Sequence, residues 1–388
     1  MKILVLSFYY QPDLCAGSFR TTSLINELKK YTDVEIDILT TMPNRYASYS
    51  MSALKDEIDA NVRIHRTTIC SNQSSILDQI KSFRKYYFKC MQKVKNEQYD
   101  VVYATSSRLF TAFLGARIAK KKGVLLYLDI RDIFVDTIKD VLSPFFAWLI
   151  KPFLIAIEQY TFSSATHINL VSKGFESYFV EKYPFVSYSW FTNGIDSEFL
   201  NFPKSKTAVK EKDESKSILY AGNIGEGQGL HTIIPDFAKI AEKEYTFKVI
   251  GDGGRIQQLS KLLKDSKNVK LFPPVSRKEL INNYRDADIL FLHLNDYDAF
   301  EKVLPSKIFE YAATGKPILA GVTGYAAKFI QEKIENAVVF HPGDHFAAVN
   351  AIKRLRIVHT DRKAFVNKYA RYKIMELMSA SIYNIVRN

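Results

Sequence analysis

The sequence predicts an α/β protein with two doubly wound, mostly parallel sheets. Signals for buried strands and helices alternate from residue 2 to about residue 200 and resume at residue 217. Between the two alternations, 204–216 is crowded with lysines, acids and serines and has little to bury, which is typical of a linker. We therefore expect one domain over 1–203 and a second over 217–364. Two domains also suit a chain of 388 residues.

Both domains are predicted from apolar runs separated by segments of helical periodicity. In the first domain we expect strands at 2–8, 34–39, 62–67, 100–104, 124–128, 166–172 and 187–191. We expect helices there at 19–30, 76–95 and 107–121, with a polar loop at 42–60. In the second domain we expect a helix from residue 230 and strands at 217–221, 247–250, 269–271, 287–292 and 318–320. The last 25 residues are predicted to form one or two helices. Ligands of such sheets bind beyond the carboxyl ends of the strands, and two such edges facing each other would form a cleft.

The composition narrows the class of partner. The chain carries 54 Lys and Arg against 41 Asp and Glu, a formal net charge of +13, which favours nucleotides, nucleic acid or an anionic membrane. Nucleic acid is disfavoured because no platform of aromatic and basic residues is evident. Cys15, Cys70 and Cys90 match no metal motif or disulfide framework, which favours a reducing cytosol. The apolar N-terminal run is too short for a signal peptide.

The segment 304–318 predicts a loop that turns abruptly into a helix. Pro305 suits the first helical position, and Ser306 and Lys307 would lie in the first turn, where free backbone donors and a lysine favour a phosphate. Glu310, three residues beyond Lys307, would lie on the same side and could accept two hydrogen bonds from a ribose diol. Gly315-Lys316-Pro317 would end the helix. The alternative is an ordinary amphipathic helix with one salt-bridged lysine.

Glycines follow several predicted strands. Gly17 lies in a loop between the first strand and the first helix, a position that can aim backbone N–H groups at a phosphate, although a plain βα turn fits equally. Four glycines in 222–229, including Gly222 and Gly225, leave little side-chain bulk, so a ligand or another backbone can approach closely. Gly251 ends the next strand in the same way.

Three further motifs carry polar groups. The segment 129–132, just past a predicted strand, offers Asp129, Arg131 and Asp132; it suits chemistry or a structural Arg–Asp pair that ties a loop. The segment 296–298 has the D-x-D pattern of a metal site, which we interpret as a decoy because the second domain already has a metal-free anion site. His293 ends a strand and could touch a sugar or serve a structural role. The seven histidines form no ligand cluster.

Two stretches have the character of membrane-binding surfaces. The segment 76–95 predicts a basic amphipathic helix with apolar residues at steps of three or four, which could lie on an anionic bilayer or bury its apolar stripe in the domain. The segment 142–157 is strongly apolar but contains Lys151 and Pro152 and is shorter than the ~20 residues of a spanning helix. We expect it to be partly buried and partly dipped into the membrane interface.

Taken together, these motifs resemble those of the bacterial glycosyltransferases of family 4, in particular members that build O-antigen, capsule or other exopolysaccharide. The similar segments follow the family's order and cover nearly the whole chain: 16–18, 129–132, 193–196, 220–230, 251–253 and 304–311. The resemblance implies a GT-B fold of two Rossmann-like domains, acceptor and donor, with a C-terminal helix at about 365–388 returning to the first. It also implies a retaining transfer from a nucleotide-sugar without an essential metal or other cofactor.

The resemblance also implies roles for particular residues. Glu310 would hold the donor ribose, Lys307 and neighbouring N–H groups the diphosphate, Gly17 the distal phosphate, and the backbone near Val275 the base. The implied donor-binding set is Gly17, Ser18, Gly222, Asn223, Gly225, Gln228, Gly251, Val275, Glu301, Pro305, Ser306, Lys307 and Glu310. The catalytic candidates are Asp129, Arg131 and Asp132, which fall about where many relatives carry a histidine and its neighbour.

The sequence departs from the family pattern at three places. Asn223 and Gln228 stand where many members carry an arginine and a lysine that grip the diphosphate. The residue eight before Glu310 is Lys302, with Glu301 one position off, and the family histidine is missing.

The expected function is a hexosyl- or N-acetylhexosaminyltransferase, peripheral on the inner face of the cell membrane. Its donor would be a UDP-sugar and its acceptor a polyprenyl-diphosphate-linked saccharide. A hydrolysing nucleotide-sugar 2-epimerase and a non-catalytic binding or scaffold subunit are the alternatives.

Overall fold

A computed structural model describes residues 1–44, 52–69, 76–106, 109–133, 144–202 and 215–387. The chain forms two compact units, Met1–Asn193 with Arg371–Asn388, and Gly194–Ala370. Most of the linker predicted at 204–216 lies outside the described residues, as do Cys70 and the start of the apolar stretch 142–157.

The strands follow one another along the chain much as the apolar runs predicted. They are β1 Lys2–Leu6, β2 Glu35–Thr41, β3 Asp56–Asp59, β4 Val62–Thr67, β5 Val101–Thr105, β6 Leu125–Ile130, β7 His167–Leu170, β8 Ser187–Ser189, β9 Lys216–Asn223, β10 Tyr245–Asp252, β11 Val269–Phe272, β12 Ile289–His293, β13 Ile318–Gly321 and β14 Ala337–Phe340.

Helices connect most of these strands. They are α1 Ala16–Leu28, α2 Ile76–Lys93, α3 Leu109–Lys122, α4 Pro144–Ser163, α5 Glu176–Lys182, α6 Ser197–Leu200, α7 Leu230–Ile240, α8 Ile256–Leu262, α9 Arg277–Asp286, α10 Lys307–Ala313, α11 Gly324–Lys333, α12 His345–Ile352, α13 Lys363–Lys368 and α14 Arg371–Arg387. No helix in the described part of the chain is long and apolar enough to cross a membrane.

The first unit contains an eight-stranded sheet in the order β3-β4-β2-β1-β5-β6-β7-β8. Among the described strands of this sheet, β3 alone runs antiparallel. It lies within the segment predicted as a polar loop, 42–60, and that part of the prediction is wrong. Asp-Glu-Ile-Asp gives no apolar signal because β3 is a short, mostly exposed edge strand. The last helix, α14, belongs to this unit and packs against α1.

The second unit contains a six-stranded parallel sheet in the order β11-β10-β9-β12-β13-β14. In sequence order this is 3-2-1-4-5-6, the doubly wound arrangement in which the connections reverse direction between the first and fourth strands. Here those strands are β9 and β12, which pair through Ile218 and Leu219. The segments that leave the carboxyl ends of β9 and β12 therefore mark the expected ligand position in this unit.

A buried ion pair stands inside the first unit. Arg20 of α1 donates to both oxygens of Asp129, at 2.7 and 2.9 Å, and the two residues are at most 1% exposed. Arg20 also donates to the carbonyls of Phe191 and Thr192, at 2.7 Å each, and lies 3.4 Å from the sulfur of Met378 in α14. One guanidinium therefore joins α1, β6, the segment after β8 and the C-terminal helix.

We expect Arg20→Met to lower the free energy of unfolding by about 3–5 kcal/mol, because it leaves the buried Asp129 carboxylate unpaired. Adding Asp129→Asn to Arg20→Met should recover part of the loss by removing the uncompensated charge. Urea unfolding measures both. Arg356→Met, which removes an exposed ion pair with Glu335, is the control and should cost less than about 1 kcal/mol. Equal losses for Arg20→Met and Arg356→Met would contradict the role of the buried pair.

Candidate functional site

Helix α10 and the turn before it carry the predicted anion motif. The helix begins at Lys307 with Ser306 as its N-cap, so the prediction that Pro305 is the first helical residue is wrong. The amides of Ile308 and Phe309 bond the carbonyls of Pro305 and Ser306, each three residues back, and regular α-helix starts only after this tighter turn. The helix ends as predicted, with Gly315 in the left-handed region at φ 71°.

Lys307 and Glu310 lie on one side of α10, as their spacing predicted. Lys307 Nζ is 3.0 Å from Glu310 Oε2 and donates to the Tyr284 hydroxyl at 2.9 Å. Tyr284 in turn donates to Glu310 Oε2 at 3.2 Å. The Glu310 side chain is only 9% exposed, whereas an ordinary surface pair would leave both partners in water. The lysine is thus salt-bridged, as the alternative reading expected, but to a buried carboxylate.

Arg277, which the sequence analysis missed, completes this charge cluster. Its Nη1 lies 3.0 Å from Glu310 Oε1 and its Nη2 2.7 Å from Asp196 Oδ2. Its guanidinium carbon lies 4.6 Å from the centre of the Phe199 ring. Arg277 is 33 residues before Glu310, so no local spacing pointed to it. The only local signal was the Ser276–Glu279 capping box, which fixes the start of α9 at this residue.

The cluster keeps Glu310 ionised. Burial raises the pKa of Glu310, but Lys307 and Arg277 outweigh it and lower the pKa to about 2. Burial and the Glu310 charge raise the pKa of Tyr284 well above its usual value, so its hydroxyl remains a donor. The site therefore presents a charged carboxylate, which can accept hydrogen bonds from a diol, beside a lysine that is 27% exposed.

The predicted glycine segment lies against the same lysine. Gly222 is the residue before the last one of β9, and a Cβ placed on it would lie 3.7 Å from Lys307 Cε. Gly251 pairs with Gly222 across β9 and β10, and at its φ of 153° an added Cβ would be 1.8 Å from the Gly222 carbonyl oxygen. Asn223 donates its side-chain amide to Gln228 at 2.7 Å, across the turn that contains Gly225. These two residues, at the positions of the family cations, are bonded to each other.

The remaining predicted residues of the second unit are less closely tied to the cluster. Val275 is partly buried against the core just before Arg277. Glu301 is exposed within a short 3₁₀ segment, Asp298–Lys302, and its backbone packs under Gly324. The structure records no hydrogen bond between the Glu301 side chain and another described residue.

The predicted site residues of the first unit lie on two elements, the start of α1 and the end of β6. Gly17 and Ser18 occupy the first turn of α1, after the loop 7–15 that follows β1, and amides of a first turn have no acceptor within the helix. The Oγ of Ser18 is buried without a partner among the described residues. Strand β6 continues through Ile130, so the expectation that Asp129 lies past the strand end is wrong: Asp129 is a buried strand residue paired with Arg20. The structural Arg–Asp pair is therefore present, but Arg20 supplies the arginine.

Arg131 and Asp132 do lie beyond the end of β6. The Arg131 amide donates to Ser106 Oγ at 2.9 Å, and its Nε is buried without a hydrogen-bond partner among the described residues. Burial lowers the pKa of Arg131, and the nearby Asp129 partly opposes that effect. The Asp132 side chain is exposed.

His293 serves the structural role that was left open. Its Nδ1 lies 2.7 Å from the Gln228 carbonyl oxygen and its Nε2 accepts from the Gly343 amide at 3.1 Å. These bonds specify the neutral tautomer with the proton on Nδ1, and burial lowers the pKa of His293 to about 4. Within the described ranges, no three or more His, Cys, Asp or Glu side chains are grouped to hold a metal ion.

The fold matches solved glycosyltransferase structures over nearly its whole length. Sucrose-phosphate synthase from Thermosynechococcus elongatus matches with a TM-score of 0.72 at 13% identity, over 99% of this chain and 98% of that one. The lipopolysaccharide outer core galactosyltransferase WaaB in its apo form matches at 0.61 and 13%, over 99% of each chain. HepE of Anabaena, in complex with UDP, matches at 0.62 and 15%, over 99% and 100%. The predicted class, an α/β protein of the GT-B architecture, is confirmed.

Residues 201–371 match the family model described as glycosyl transferases group 1, and this segment includes Arg277, Lys307 and Glu310. WcaI of Escherichia coli (strain K12), named for colanic acid biosynthesis as a glycosyl transferase, is 33% identical over 105 residues, or 26% of each chain. This chain thus spans about a quarter of the length of that curated relative. The resemblance to bacterial glycosyltransferases of family 4 is confirmed.

We expect Glu310 to contribute stability that is complete above about pH 4.5 and is lost as the pH falls toward 2, because folding lowers its pKa from 4.5 to about 2. The contribution is about 3 kcal/mol. Urea unfolding over this pH range should therefore show the gap between wild type and Glu310→Gln narrowing in acid. Glu332→Gln, at an exposed helix position, should keep a constant gap. A gap that does not narrow for Glu310→Gln would contradict the assigned ionisation.

Proposed function

We propose that this protein is a retaining glycosyltransferase that transfers a sugar from a nucleotide diphosphate donor, a UDP-sugar, to a lipid-linked saccharide. The observation that carries the proposal is the buried Glu310 carboxylate beside a partly exposed Lys307, against Gly222 at the end of β9. This cluster follows the strands at which the order of the second sheet reverses, and it lies within the segment of the group 1 family. That HepE was solved with UDP supports the choice of base.

The chemistry that the site would supply is stabilisation of the leaving group. As the bond to the sugar breaks, negative charge develops on the nucleoside diphosphate, and fixed donors or a cation placed there lower the barrier. Lys307 is the partly exposed cation of the cluster and can reach phosphate oxygens as a mobile point charge. Glu310 would orient the donor by accepting hydrogen bonds from the ribose diol. For Gly17 and Ser18, contact with the distal phosphate stays a prediction of the family resemblance.

The residues that would contact the sugar are less clearly indicated than those proposed for the nucleotide. Arg131 and Asp132, beyond β6, remain the catalytic candidates, and a hexosyl or N-acetylhexosaminyl donor fits the proposal equally. We propose a role in surface polysaccharide synthesis because WcaI is named for colanic acid biosynthesis and WaaB for the lipopolysaccharide outer core. The same proposal includes catalysis without an essential metal, because the Lys307 ammonium would stabilise the diphosphate in place of a metal ion.

We further propose that the protein binds the inner face of the cell membrane peripherally, where a polyprenyl-diphosphate-linked acceptor would be found. Helix α2 buries Ser82, Tyr86 and Cys90 against the first unit, and its opposite face is basic. The exposed residues of that face include two apolar side chains among four cations: Ile80, Lys81, Arg84, Lys85, Phe88 and Lys89. In α4, Phe153 and Ile155 are 64% and 43% exposed. Such mixed surfaces suit an anionic membrane interface.

We expect calorimetry to show that the wild type binds UDP in preference to GDP, ADP and CMP, with the same affinity in EDTA. Lys307→Ala should weaken UDP binding at least about tenfold, because it removes the cation for the diphosphate. Lys328→Ala, at an exposed position of α11, is the control and should bind like wild type. Binding of no nucleotide would contradict the proposal and favour the non-catalytic scaffold, and EDTA-sensitive binding would contradict the metal-free site.

We expect the protein to float with vesicles that contain phosphatidylglycerol but not with vesicles of pure phosphatidylcholine. High salt should abolish the flotation because it screens the attraction between the basic helix and the anionic lipid. Changing Lys81, Lys85 and Lys89 to Glu should abolish it by reversing the charge of the exposed face of α2. The matched control changes Lys239, Lys261 and Lys264, exposed lysines of the second unit, to Glu and alters net charge equally. Equal loss in both triple variants would show a general charge effect instead of a surface on α2.

A further inference from the structure

Two residues with different roles in the proposed donor site are bound to each other in the structure. Lys307 Nζ lies 3.0 Å from Glu310 Oε2, yet the proposed function needs the lysine on the diphosphate and the carboxylate on the ribose. The Glu310 side chain is only 9% exposed. If Lys307 moved away and no other cation were present, the carboxylate would be buried without a partner, at a large cost in free energy. The donor can therefore engage both residues only if a second cation holds Glu310 when Lys307 departs.

Arg277 is such a cation, and its position prevents it from leaving. Beyond its bonds to Glu310 and Asp196, its Nε lies 3.6 Å from Glu198 Oε1, and the guanidinium stacks over the buried Phe199 ring. Its side chain is 18% exposed. A planar group with partners in several directions is held in one orientation.

Lys307 has the opposite properties. Its side chain is 27% exposed, against 18% for Arg277, and its ammonium sits on a flexible stem that runs beside Gly222. Its other partner, the Tyr284 hydroxyl, also donates to Glu310 Oε2 at 3.2 Å and can keep doing so without the lysine. Departure of Lys307 would leave Glu310 with one guanidinium, one phenol and one free acceptor position on Oε2.

We propose that Arg277 is a positioning residue, which holds Glu310 in place while Lys307 exchanges that carboxylate for the diphosphate of the donor. The inference rests on the proposed function and deepens it. A ribose hydroxyl then takes the acceptor position on Oε2 that the ammonium vacates. The ion pair of Lys307 with Glu310 competes with the diphosphate, and Arg277 reduces the cost of breaking it.

The first test uses Glu310→Gln, which has the same shape, with inorganic pyrophosphate and uridine as separate probes in calorimetry. Pyrophosphate should bind about threefold or more tighter than to wild type, because Lys307 no longer has to leave a carboxylate. Uridine should bind about tenfold more weakly, because the amide is a poorer acceptor for the ribose diol. Lys307→Ala in the Glu310→Gln background should remove the gain. Glu332→Gln, an equal change of charge at an exposed position of α11, should leave both affinities unchanged.

The second test measures the coupling between Arg277 and Glu310. Arg277→Met should weaken UDP binding about tenfold in wild type, because Lys307 becomes the only cation of Glu310, but less than about threefold in Glu310→Gln. Arg285→Met, at an exposed position of the same helix, is the control. Arg277→Lys keeps a charge at the site and replaces Arg277→Met if that variant does not fold.

The outcomes separate this inference from the proposed function. Wild type that binds no nucleotide contradicts both. Wild type that binds UDP, with pyrophosphate affinity unchanged or lowered in Glu310→Gln, overturns the exchange alone. An Arg277→Met effect of equal size in both backgrounds overturns the positioning role, since it shows that Arg277 acts on the nucleotide without Glu310.

Discussion

Each unit of this protein contains a buried carboxylate that an arginine must neutralise. Asp129 in β6 is paired with Arg20, and Glu310 in α10 is paired with Arg277. A carboxylate removed from water is costly unless a cation and further hydrogen bonds surround it, so each pair requires several elements to meet at one point. In the first unit these elements include the C-terminal helix, which supplies Met378. In the second, Asp196 joins the segment that opens the unit to α9.

The two buried pairs differ in what they leave available for chemistry. The Arg20–Asp129 pair is sealed, with Tyr103 of β5 and Asn169 of β7 donating to the same carboxylate, so its role is to tie β6 to the strands on either side. The Glu310 cluster adds a lysine that is partly exposed, and a lysine on a flexible stem can change partners where an arginine stacked on a ring cannot. The division between a fixed cation and a mobile one is what makes the second cluster a plausible site for a charged ligand.

The basic helix α2 shows how periodicity can identify a helix and misassign its buried face. Steps of three or four through Ile80, Phe83 and Tyr87 predicted the apolar stripe, but Ile80 is 56% exposed and the core uses Tyr86 and Cys90. Tyr86 can be buried because its hydroxyl donates to the Leu39 carbonyl at 2.7 Å. The cations of this helix lie on its exposed side, because burying that many charges would be costly in free energy. The partly apolar face left outside is the basis of the membrane proposal.

The sequence by itself determined the two α/β repeats, most strand positions and the adjacency of Lys307 and Glu310, because these follow from local periodicity and from helical spacing. Only the tertiary structure decided that β6 runs through Asp129, that Asn223 and Gln228 bond each other, and that Arg277 reaches Glu310. The physical reason is the separation of the interacting residues along the chain. Burial and pairing of a charge depend on residues that the fold brings together, here 109 positions apart for Arg20 and Asp129, and spacing along the chain carries no signal at that distance.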